Sequence, residues 1–320
     1  MMSTPPRPIY TEPDKRITLD DLASHVRDGA VVAVGGGLSS REPMALLRAI
    51  LRRGVKGLTV VGSAHGMDID LLSAGGALAR SSESYVGFEQ DFGLAPNYRR
   101  GLESGAIKID DSCCYTLVQQ LRAAIQGLPF MPIRSVRGTS FPSLHDEYKL
   151  MVCPFTGEEL LLVPAIEPDI ALIHAQYGDA KGNLVIQGPP VADILFAKAS
   201  RVVLATVEEI VPTERLNELG GVSIPYFYVT ALSETRMGAH PTACYPFYSY
   251  DRPHTALYYE TARKGADAFL DEYLSVFVHG ARSHDEYLTR IGGETTRARL
   301  SSWRDGIEAW KRLYLDEAAP

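Results

Sequence analysis

The chain has 320 residues, a length that predicts one or two domains. It carries 32 Lys and Arg against 39 Asp and Glu, so its net charge of −7 argues against a surface that attracts nucleic acid or anionic lipid. With 45% hydrophobic and 22% charged residues, the composition is that of a folded globular protein and excludes a largely disordered chain.

No segment of the sequence predicts a membrane span or a secretory signal. The longest nearly uncharged apolar runs, residues 30–38 and 160–166, are far shorter than the eighteen or so residues that a span needs. Residues 1–13 are rich in proline and contain no apolar run after a basic segment, so we expect a flexible arm and a cytoplasmic protein. No CxxC spacing suggests zinc, and we expect four reduced thiols at Cys113, Cys114, Cys153 and Cys244.

The first regular elements predict a βαβ unit. Thr18 is a suitable N-cap for a short helix, and the small and β-branched residues 30–34 are typical of a strand buried on both faces of a parallel sheet. Three glycines follow, then a helix that starts at Glu42 and Pro43 and runs to Gly54, and a strand over 58–61. This order within about 35 residues predicts a right-handed crossover between parallel strands.

The rest of the chain repeats this alternation and then becomes helical. We expect helices over 111–126 and 191–199 and strands over 160–163, 170–174, 184–187 and 201–206, with helical periodicity from residue 255. No internal repeat or flexible linker divides the chain. The predicted architecture is therefore one α/β domain over 14–280, with a doubly wound, mostly parallel sheet, a flexible arm over 1–13 and a helical C-terminal extension over 281–320.

A glycine turn lies where the first strand ends and the next helix begins, at residues 35–41. Ligands collect at this edge of open parallel sheets, and exposed N–H groups there can stabilise an anion. The turn is not a dinucleotide fingerprint, because Ser40 stands where GxGxxG needs glycine, and no GK[ST] follows for a phosphate loop. Gly36 and Gly37 are candidate oxyanion donors, although backbone geometry alone would also explain these glycines.

Other candidate residues leave structural and functional readings open. His174 ends a predicted strand and Asn183 lies in the turn beyond it, while His240 precedes a proline in a loop. Each could support a site or be a satisfied structural residue. Glu208 and Glu209, placed after the strand 201–206, could act as an acid/base pair if buried but more often form a solvated strand end. Residues 88–98 are interpreted as an aromatic loop that lines a pocket or packs as core.

Several segments, in one order along nearly the whole chain, resemble the alpha subunits of family I coenzyme A transferases. The residues 28–43 are similar to the family signature, and further segments resemble the alpha subunit of glutaconate CoA-transferase in particular: 128–132, 174–176, 238–241, 244–245 and 284–288. Residues 41–61 and 104–107 are also similar to the alpha subunit of the cholesterol ring-cleaving hydrolase. The resemblance implies a sheet of the NagB/RpiA-like type.

The resemblance implies an enzyme that moves CoA between an acyl-CoA and a carboxylic acid through a glutamyl-CoA intermediate. Related enzymes take the glutamate from a Ser-Glu-Asn-Gly motif in a beta subunit, and this chain lacks that motif. We therefore expect no catalytic residue in this chain, a beta-subunit partner in an A2B2 or larger assembly, CoA as substrate, no tightly bound cofactor and no metal. The site residues implied are Gly35, Gly36, Gly37, Ser39, Ser40, Arg41, Phe88, Glu89 and Gly93, supported by His174, Asn183 and His240.

Departures from the family signature narrow the expected substrate. Gly37 stands where phenylalanine is common, Arg41 where glycine is common, and Ala45 where the ketoacid branch has asparagine, which argues against a ketoacid substrate. The aromatic segment 88–98 aligns with a more polar loop, so we expect a less polar acyl group. The alternative function is hydrolysis of a ring-bearing acyl-CoA, as in the cholesterol ring-cleaving hydrolase. The resemblance implies that an alpha-subunit glutamate acts in that enzyme, and Cys114 or a neighbouring position aligns with it here. A third alternative, a regulatory or sugar-phosphate-binding protein, does not explain the match at 284–288.

Overall fold

The computed structural model describes residues 14–314, apart from the side chains of Glu89, Gln90 and residues 312–314. The predicted arm, residues 1–13, lies outside the described residues. The strands are β1 (Val31–Val34), β2 (Leu58–Val61), β3 (Ala64–His65), β4 (Leu78–Ser82), β5 (Tyr85–Val86), β6 (Lys108–Ile109), β7 (Phe130–Ile133), β8 (Lys149–Val152), β9 (Glu159–Pro164), β10 (Ile170–Gly178), β11 (Leu184–Val185), β12 (Val202–Ile210) and β13 (Ala231–Glu234).

Helices precede, separate and follow these strands. The α-helices are α1 (Leu19–Ser24), α2 (Met44–Arg52), α3 (Met67–Ala74), α4 (Glu89–Phe92), α5 (Pro96–Glu103), α6 (Cys114–Ile125), α7 (Asp193–Ala199), α8 (Arg252–Lys264), α9 (Ala266–Phe269), α10 (His284–Arg290), α11 (Gly293–Ser301) and α12 (Ile307–Tyr314). Short 3₁₀ helices cover 141–144, 213–217 and 302–305, and a π-helix covers 270–279. No helix among the described residues is both long and apolar enough to cross a bilayer.

The central sheet confirms the predicted mostly parallel α/β architecture. Seven parallel strands lie in the order β13–β12–β10–β1–β2–β4–β6, and β11 pairs antiparallel with β10. Strand β1 is central: Val32 pairs with Ile170 on one side and with Val60 on the other. One apolar core, which includes Leu46 of α2, covers one face of the sheet, and a second, which includes Phe196 of α7, covers the other. A parallel strand covered on both faces needs apolar side chains on both, which explains the non-alternating sequence of β1.

Local signals placed the first elements well. Thr18 caps α1 by accepting the backbone N–H of Asp21 at 3.1 Å, as predicted. Pro43 immediately precedes α2, and β2 spans the predicted residues 58–61. Helices α10, α11 and α12 confirm the helical character predicted beyond residue 280.

Three predictions from the sequence are corrected by tertiary structure. The strand expected over 160–163 is β9, which lies outside the central sheet, between β7 and β8 in a separate antiparallel sheet. The segment 88–98 is not simply a loop, because it holds α4 and the first turn of α5, which begins at Pro96. Glu208 and Glu209 do not follow their strand but lie within β12, where Glu208 is buried.

Candidate functional site

A cavity of about 350 Å³ opens beside the glycine turn that follows β1. The turn contributes one wall, the segment after β5 a second, and the loop between β13 and α8 a third. This position beyond the carboxyl ends of parallel strands is where open α/β sheets bind ligands. The lining residues are Leu38, Ser39, Ser40, Met67, Gly87, Phe88, Asp91, Thr242, Ala243, Tyr245, Tyr250 and Thr255.

The glycine turn has an unusual backbone conformation. Gly36 has φ +77°, and a Cβ at this position would collide with the carbonyl group of Arg41. Leu38 and Arg41 also have positive φ, at 57° and 55°, which is uncommon for residues with side chains. Non-glycine residues remain in this conformation only where the surroundings hold them, and such positions cluster at functional sites.

The two predicted oxyanion donors are engaged inside the protein. The N–H of Gly36 donates to Oδ1 of Asp193 at 3.1 Å, and the N–H of Gly37 donates to the carbonyl of Ser40 at 2.9 Å. Neither group is free to bind an anion in this conformation, and neither glycine lines the cavity. Ser39, by contrast, is exposed on the cavity wall, and neither its N–H nor its hydroxyl bonds to a described residue. Ser39 therefore offers a ligand both its N–H and its hydroxyl, and the hydroxyl of Ser40 lies on the same wall without a partner among the described residues.

Arg41 lies behind the turn rather than in the cavity. Its buried guanidinium pairs with both carboxylate oxygens of Asp193 at 3.1 Å and donates to the carbonyls of His174 and Pro189. The resemblance implied that Arg41 is a substrate-binding residue, and this geometry does not fit that role. Gly35 packs against the same carboxylate, and a side chain there would collide with it, because a Cβ would lie 2.6 Å from Oδ1 of Asp193.

Phe88 is the predicted aromatic residue that reaches the cavity. Its ring lies on the cavity wall with the centroids of Tyr258 and Tyr259 at 5.7 and 5.6 Å, and its N–H donates to the carbonyl of Gly93 at 2.6 Å. Gly93, with φ +83°, closes this short segment but does not line the cavity. The side chain of Glu89 lies outside the described part of the structure.

His174 is a satisfied buried histidine that supports the third wall. Its Nδ1 lies 2.8 Å from Oγ1 of Thr206, and its Nε2 lies 2.9 Å from Oε1 of Glu208. Glu208 in turn accepts the N–H groups of Met237 and Gly238 and the hydroxyl of Tyr248. This network fixes the loop that carries Thr242 and Tyr245 to the sheet.

Asn183 and His240 have structural partners away from the cavity. Asn183 donates to Asp179 at 2.7 Å and accepts the N–H of Tyr226, which fixes the turn after β10. His240 lies 2.7 Å from the hydroxyl of Tyr287 and 2.9 Å from Oδ2 of Asp251, and burial lowers its pKa. It therefore anchors the C-terminal helices, and it does not line the cavity.

A buried cluster of four ionisable residues was missed from the sequence. Nδ1 of His65 lies 2.5 Å from Oδ2 of Asp68, and its Nε2 faces Oε2 of Glu83 at 3.9 Å. Glu42 accepts the N–H groups of Gly66 and Asp68, while both carboxyl oxygens of Glu83 are buried without a hydrogen-bond partner among the described residues. The His65–Asp68 spacing of three residues was visible in the sequence, but Glu83 approaches only because β4 pairs with β2.

The cluster retains protons at neutral pH. Burial raises the pKa of Glu83 to about 8, an effect that the nearby His65 only partly offsets. Burial lowers the pKa of His65, but Asp68 and Glu83 outweigh it and raise that pKa to about 9. Burial and the neighbouring Asp68 also raise the pKa of Glu42 well above its ordinary value. Perturbed groups of this kind often mark functional sites.

Two buried sets of side chains bring three potential metal-binding atoms together. One contains His174, Glu208 and Cys244, and the other contains Glu42, His65 and Asp68. Most of these nitrogen and oxygen atoms already bond to backbone N–H groups or to neighbouring side chains. These hydrogen bonds within the protein account for both arrangements. All four cysteines are free thiols.

Comparison with known proteins assigns the chain to a family. The model of the family described as coenzyme A transferase matches residues 16–235. The alpha subunit of the glutaconate CoA-transferase of Acidaminococcus fermentans is 30% identical over 296 residues, covering 87% of this chain and 92% of that protein. The cholesterol ring-cleaving hydrolase IpdA subunit of Mycobacterium tuberculosis is 34% identical over 275 residues, covering 82% and 94%. The chain spans 64% of an uncharacterized Archaeoglobus fulgidus protein that is 34% identical over 90% of the chain.

Solved structures agree with the sequence comparison. The crystal structure of glutaconate coenzyme A-transferase from Acidaminococcus fermentans matches with a TM-score of 0.81 and 30% identity, covering 88% of this chain and 94% of that one. A structure of the decarboxylase AibA/AibB matches with a TM-score of 0.74 and 32% identity, covering 81% and 97%. The matched family region, the identities and the shared fold together show that the chain belongs to the coenzyme A transferase family.

Proposed function

We propose that this chain is the alpha subunit of a two-chain CoA-transferase that exchanges CoA between an acyl-CoA and a carboxylic acid. The observation that carries the proposal is the cavity beside the glycine turn in a member of this family. Its described lining offers donors and apolar walls, and its one carboxylate, Asp91, is exposed and 3.6 Å from Arg252. A carboxylate is a useful nucleophile only when desolvated and aligned with the thioester, so the glutamate nucleophile comes from a partner chain.

In the proposed reaction, the partner's glutamate attacks the thioester carbonyl and CoA leaves as a thiolate, giving an acyl-glutamyl anhydride. The thiolate then attacks the glutamyl carbonyl, which releases the first acid and forms a glutamyl-CoA thioester. The acceptor acid repeats these two steps in reverse. Each step passes through a tetrahedral oxyanion, and Ser39 supplies the N–H and hydroxyl of this chain for it, each worth about 3 kcal/mol when well aligned.

The remaining walls of the cavity protect the intermediates. An anhydride or thioester hydrolyses if water reaches it, so the site must exclude water. Leu38, Met67 and Phe88 provide an apolar wall for this purpose, while Thr242 and Tyr250 lie on the cavity wall as polar groups. The same wall favours an acyl group less polar than a short dicarboxylate.

A second candidate function is hydrolysis of a ring-bearing acyl-CoA. The relative from Mycobacterium tuberculosis is named as such a hydrolase. The glutamate of that hydrolase is replaced here by Cys114 or a neighbouring residue. Sγ of Cys114 lies 3.1 Å from Oγ of Ser84, which follows Glu83 in the chain, and burial raises the pKa of Glu83 to about 8. This second candidate function therefore requires Glu83 to take the acid/base role.

The transferase needs an acceptor carboxylic acid and the hydrolase does not, so omitting the acid distinguishes the two functions. The full chain, co-expressed with a beta-type partner chain, is incubated with an acyl-CoA in the presence and absence of an isotopically labelled carboxylic acid. The transferase forms labelled acyl-CoA and gives ping-pong kinetics, with no loss of acyl-CoA when the acid is omitted. Steady loss of acyl-CoA without an acceptor, and no label in the CoA ester, would replace the transferase by the hydrolase.

A further inference from the structure

A second cavity lies against the C-terminal helices and shares a residue with the candidate site. It has a volume of about 650 Å³, and its walls come from the loop before α8, the 3₁₀ helix 302–305 and α12. Tyr245 lines both cavities. We call the second one the aromatic groove, and its lining residues are Tyr245, Trp303, Arg304, Gly306, Ile307 and Trp310.

The aromatic groove presents apolar surface to solvent. The ring of Tyr245 packs edge-on against Trp303 with centroids 5.0 Å apart, so these two residues form a fixed wall. In the same groove, Ile307 is 63% exposed and Trp310 is 39% exposed. Burying apolar side chains is favourable, and grouped apolar residues on a surface mark binding sites.

Polar groups at the groove favour an oxygen-bearing ligand. Arg304 donates to the carbonyls of Pro246 and Phe247 and makes no ion pair with a described carboxylate. Nε1 of Trp303 is buried and has no acceptor among the described residues. A ligand with an oxygen at its far end would complement both groups, since a buried donor without a partner costs stability.

We propose that the aromatic groove binds the distal part of the acyl group, and that the enzyme therefore takes a bulky, ring-bearing acyl-CoA. The proposal rests on the proposed function, because it places the thioester at Ser39 in the first cavity. That cavity, at about 350 Å³, is at the small end of the range for ligand sites. An acyl body that passes Tyr245 gains the aromatic walls without disturbing the reacting end. The groove makes Tyr245, Trp303 and Ile307 determinants of acyl-chain specificity.

The chain reports on this groove directly, because its two tryptophans, Trp303 and Trp310, both line it. Intrinsic fluorescence of the full chain, alone and co-expressed with its partner, is titrated with CoA, acetyl-CoA and 6-(4-hydroxycyclohexyl)hexanoyl-CoA, a cyclic ester whose ring is separated from the thioester by a methylene chain and carries an oxygen at its far end. The signal of the double variant W303F/W310F is subtracted so that only these two indoles are measured. We expect saturable quenching by the cyclic ester at concentrations at least tenfold below any response to acetyl-CoA or CoA.

Matched variants test the location. Ile307→Asp weakens the response to the cyclic ester at least tenfold, whereas Leu257→Asp, the same kind of change at an exposed leucine of α8 outside the groove, leaves it unchanged. Equal quenching by CoA and by the cyclic ester would overturn the proposal and assign the groove to the nucleotide. No quenching by any ester, alone or with the partner, would overturn it as well. Because the titration measures binding without turnover, it holds or fails independently of the transfer assay.

Discussion

Arg41 and Asp193 form a buried two-point ion pair behind the glycine turn, with side-chain exposures of 3% and 0% and Nη2 to Oδ2 at 3.1 Å. The same Asp193 carboxylate accepts the N–H of Gly36. The Asp193 side chain, at the start of α7, therefore holds Gly36 and Arg41 at the two ends of the strained turn between β1 and α2. The shape of the wall that carries Ser39 depends on a contact across about 150 residues of sequence.

Neutralising Asp193 leaves a buried positive charge without its partner. We expect Asp193→Asn to lower the free energy of unfolding by about 3 kcal/mol or more, because breaking a buried ion pair exposes the full desolvation cost of Arg41. Urea denaturation measures the loss. Glu167→Gln, which removes an exposed partner of Arg201, is the control and should cost under about 1 kcal/mol. Equal losses for the two variants would show that the buried pair does not hold the turn.

Ser39 offers both an N–H and a hydroxyl to the reaction. Ser39→Ala removes its hydroxyl and keeps its N–H, so we expect kcat for CoA transfer to fall by about a hundredfold with little change in KM. Steady-state kinetics of the co-expressed complex measure the two constants. Ser104→Ala, an exposed serine whose hydroxyl bonds to the carbonyl of Gly101, should leave both unchanged. An unchanged kcat in Ser39→Ala would remove the hydroxyl from the proposed mechanism.

The buried pair of Glu83 and His65 makes stability depend on pH. Both pKa values are higher in the folded protein than in the unfolded chain, about 8 against 4.5 for Glu83 and about 9 against 6.5 for His65. The folded state therefore binds more protons than the unfolded state over these ranges, and its stability falls as pH rises from about 5 to 9. Glu83→Gln cannot ionise, so we expect the decline from pH 5 to 8 to become shallower.

Urea denaturation at intervals between pH 5 and 9 measures this difference. Glu260→Gln, at an exposed position on α8, should follow the wild-type curve. A Glu83→Gln curve parallel to that of the wild type would mean that Glu83 is ionised in the folded protein at neutral pH. That result would also withdraw the proton donor on which the hydrolase alternative depends.

The sequence pattern predicted the first βαβ unit because its strands can be recognised from their own residues. Residues 31–34 are small or β-branched with no polar break, and the glycine turn and α2 follow directly. Strand β4, with the sequence Leu-Ala-Arg-Ser-Ser, has no such signal, yet it pairs with β2 and β6 in the sheet. The position of β4 in the sheet is decided by pairing with β2 and β6, and the strand propensity of its own residues does not show this pairing.

The chemistry of individual side chains was harder to predict. The resemblance implied that Arg41 binds substrate, but Asp193, distant in sequence, turns its side chain inward. The N–H groups of Gly36 and Gly37 were expected to be free because they lie where a strand ends and a helix begins, but Asp193 and Ser40 accept them. Ser39, Ser40 and Phe88 line the cavity, and their role in binding substrate stays a prediction.

The central claim is that a partner glutamate carries CoA during the reaction, and chemical trapping tests it most directly. The full chain, co-expressed with its partner, is incubated with an acyl-CoA without acceptor and then reduced with borohydride, and both chains are weighed intact. The account predicts reduction of one glutamate to its alcohol on the partner chain, a mass loss of about 14 Da that requires acyl-CoA, and no change in the mass of the chain described here. An unmodified partner, with acyl-CoA steadily consumed in the absence of an acceptor acid, would contradict it.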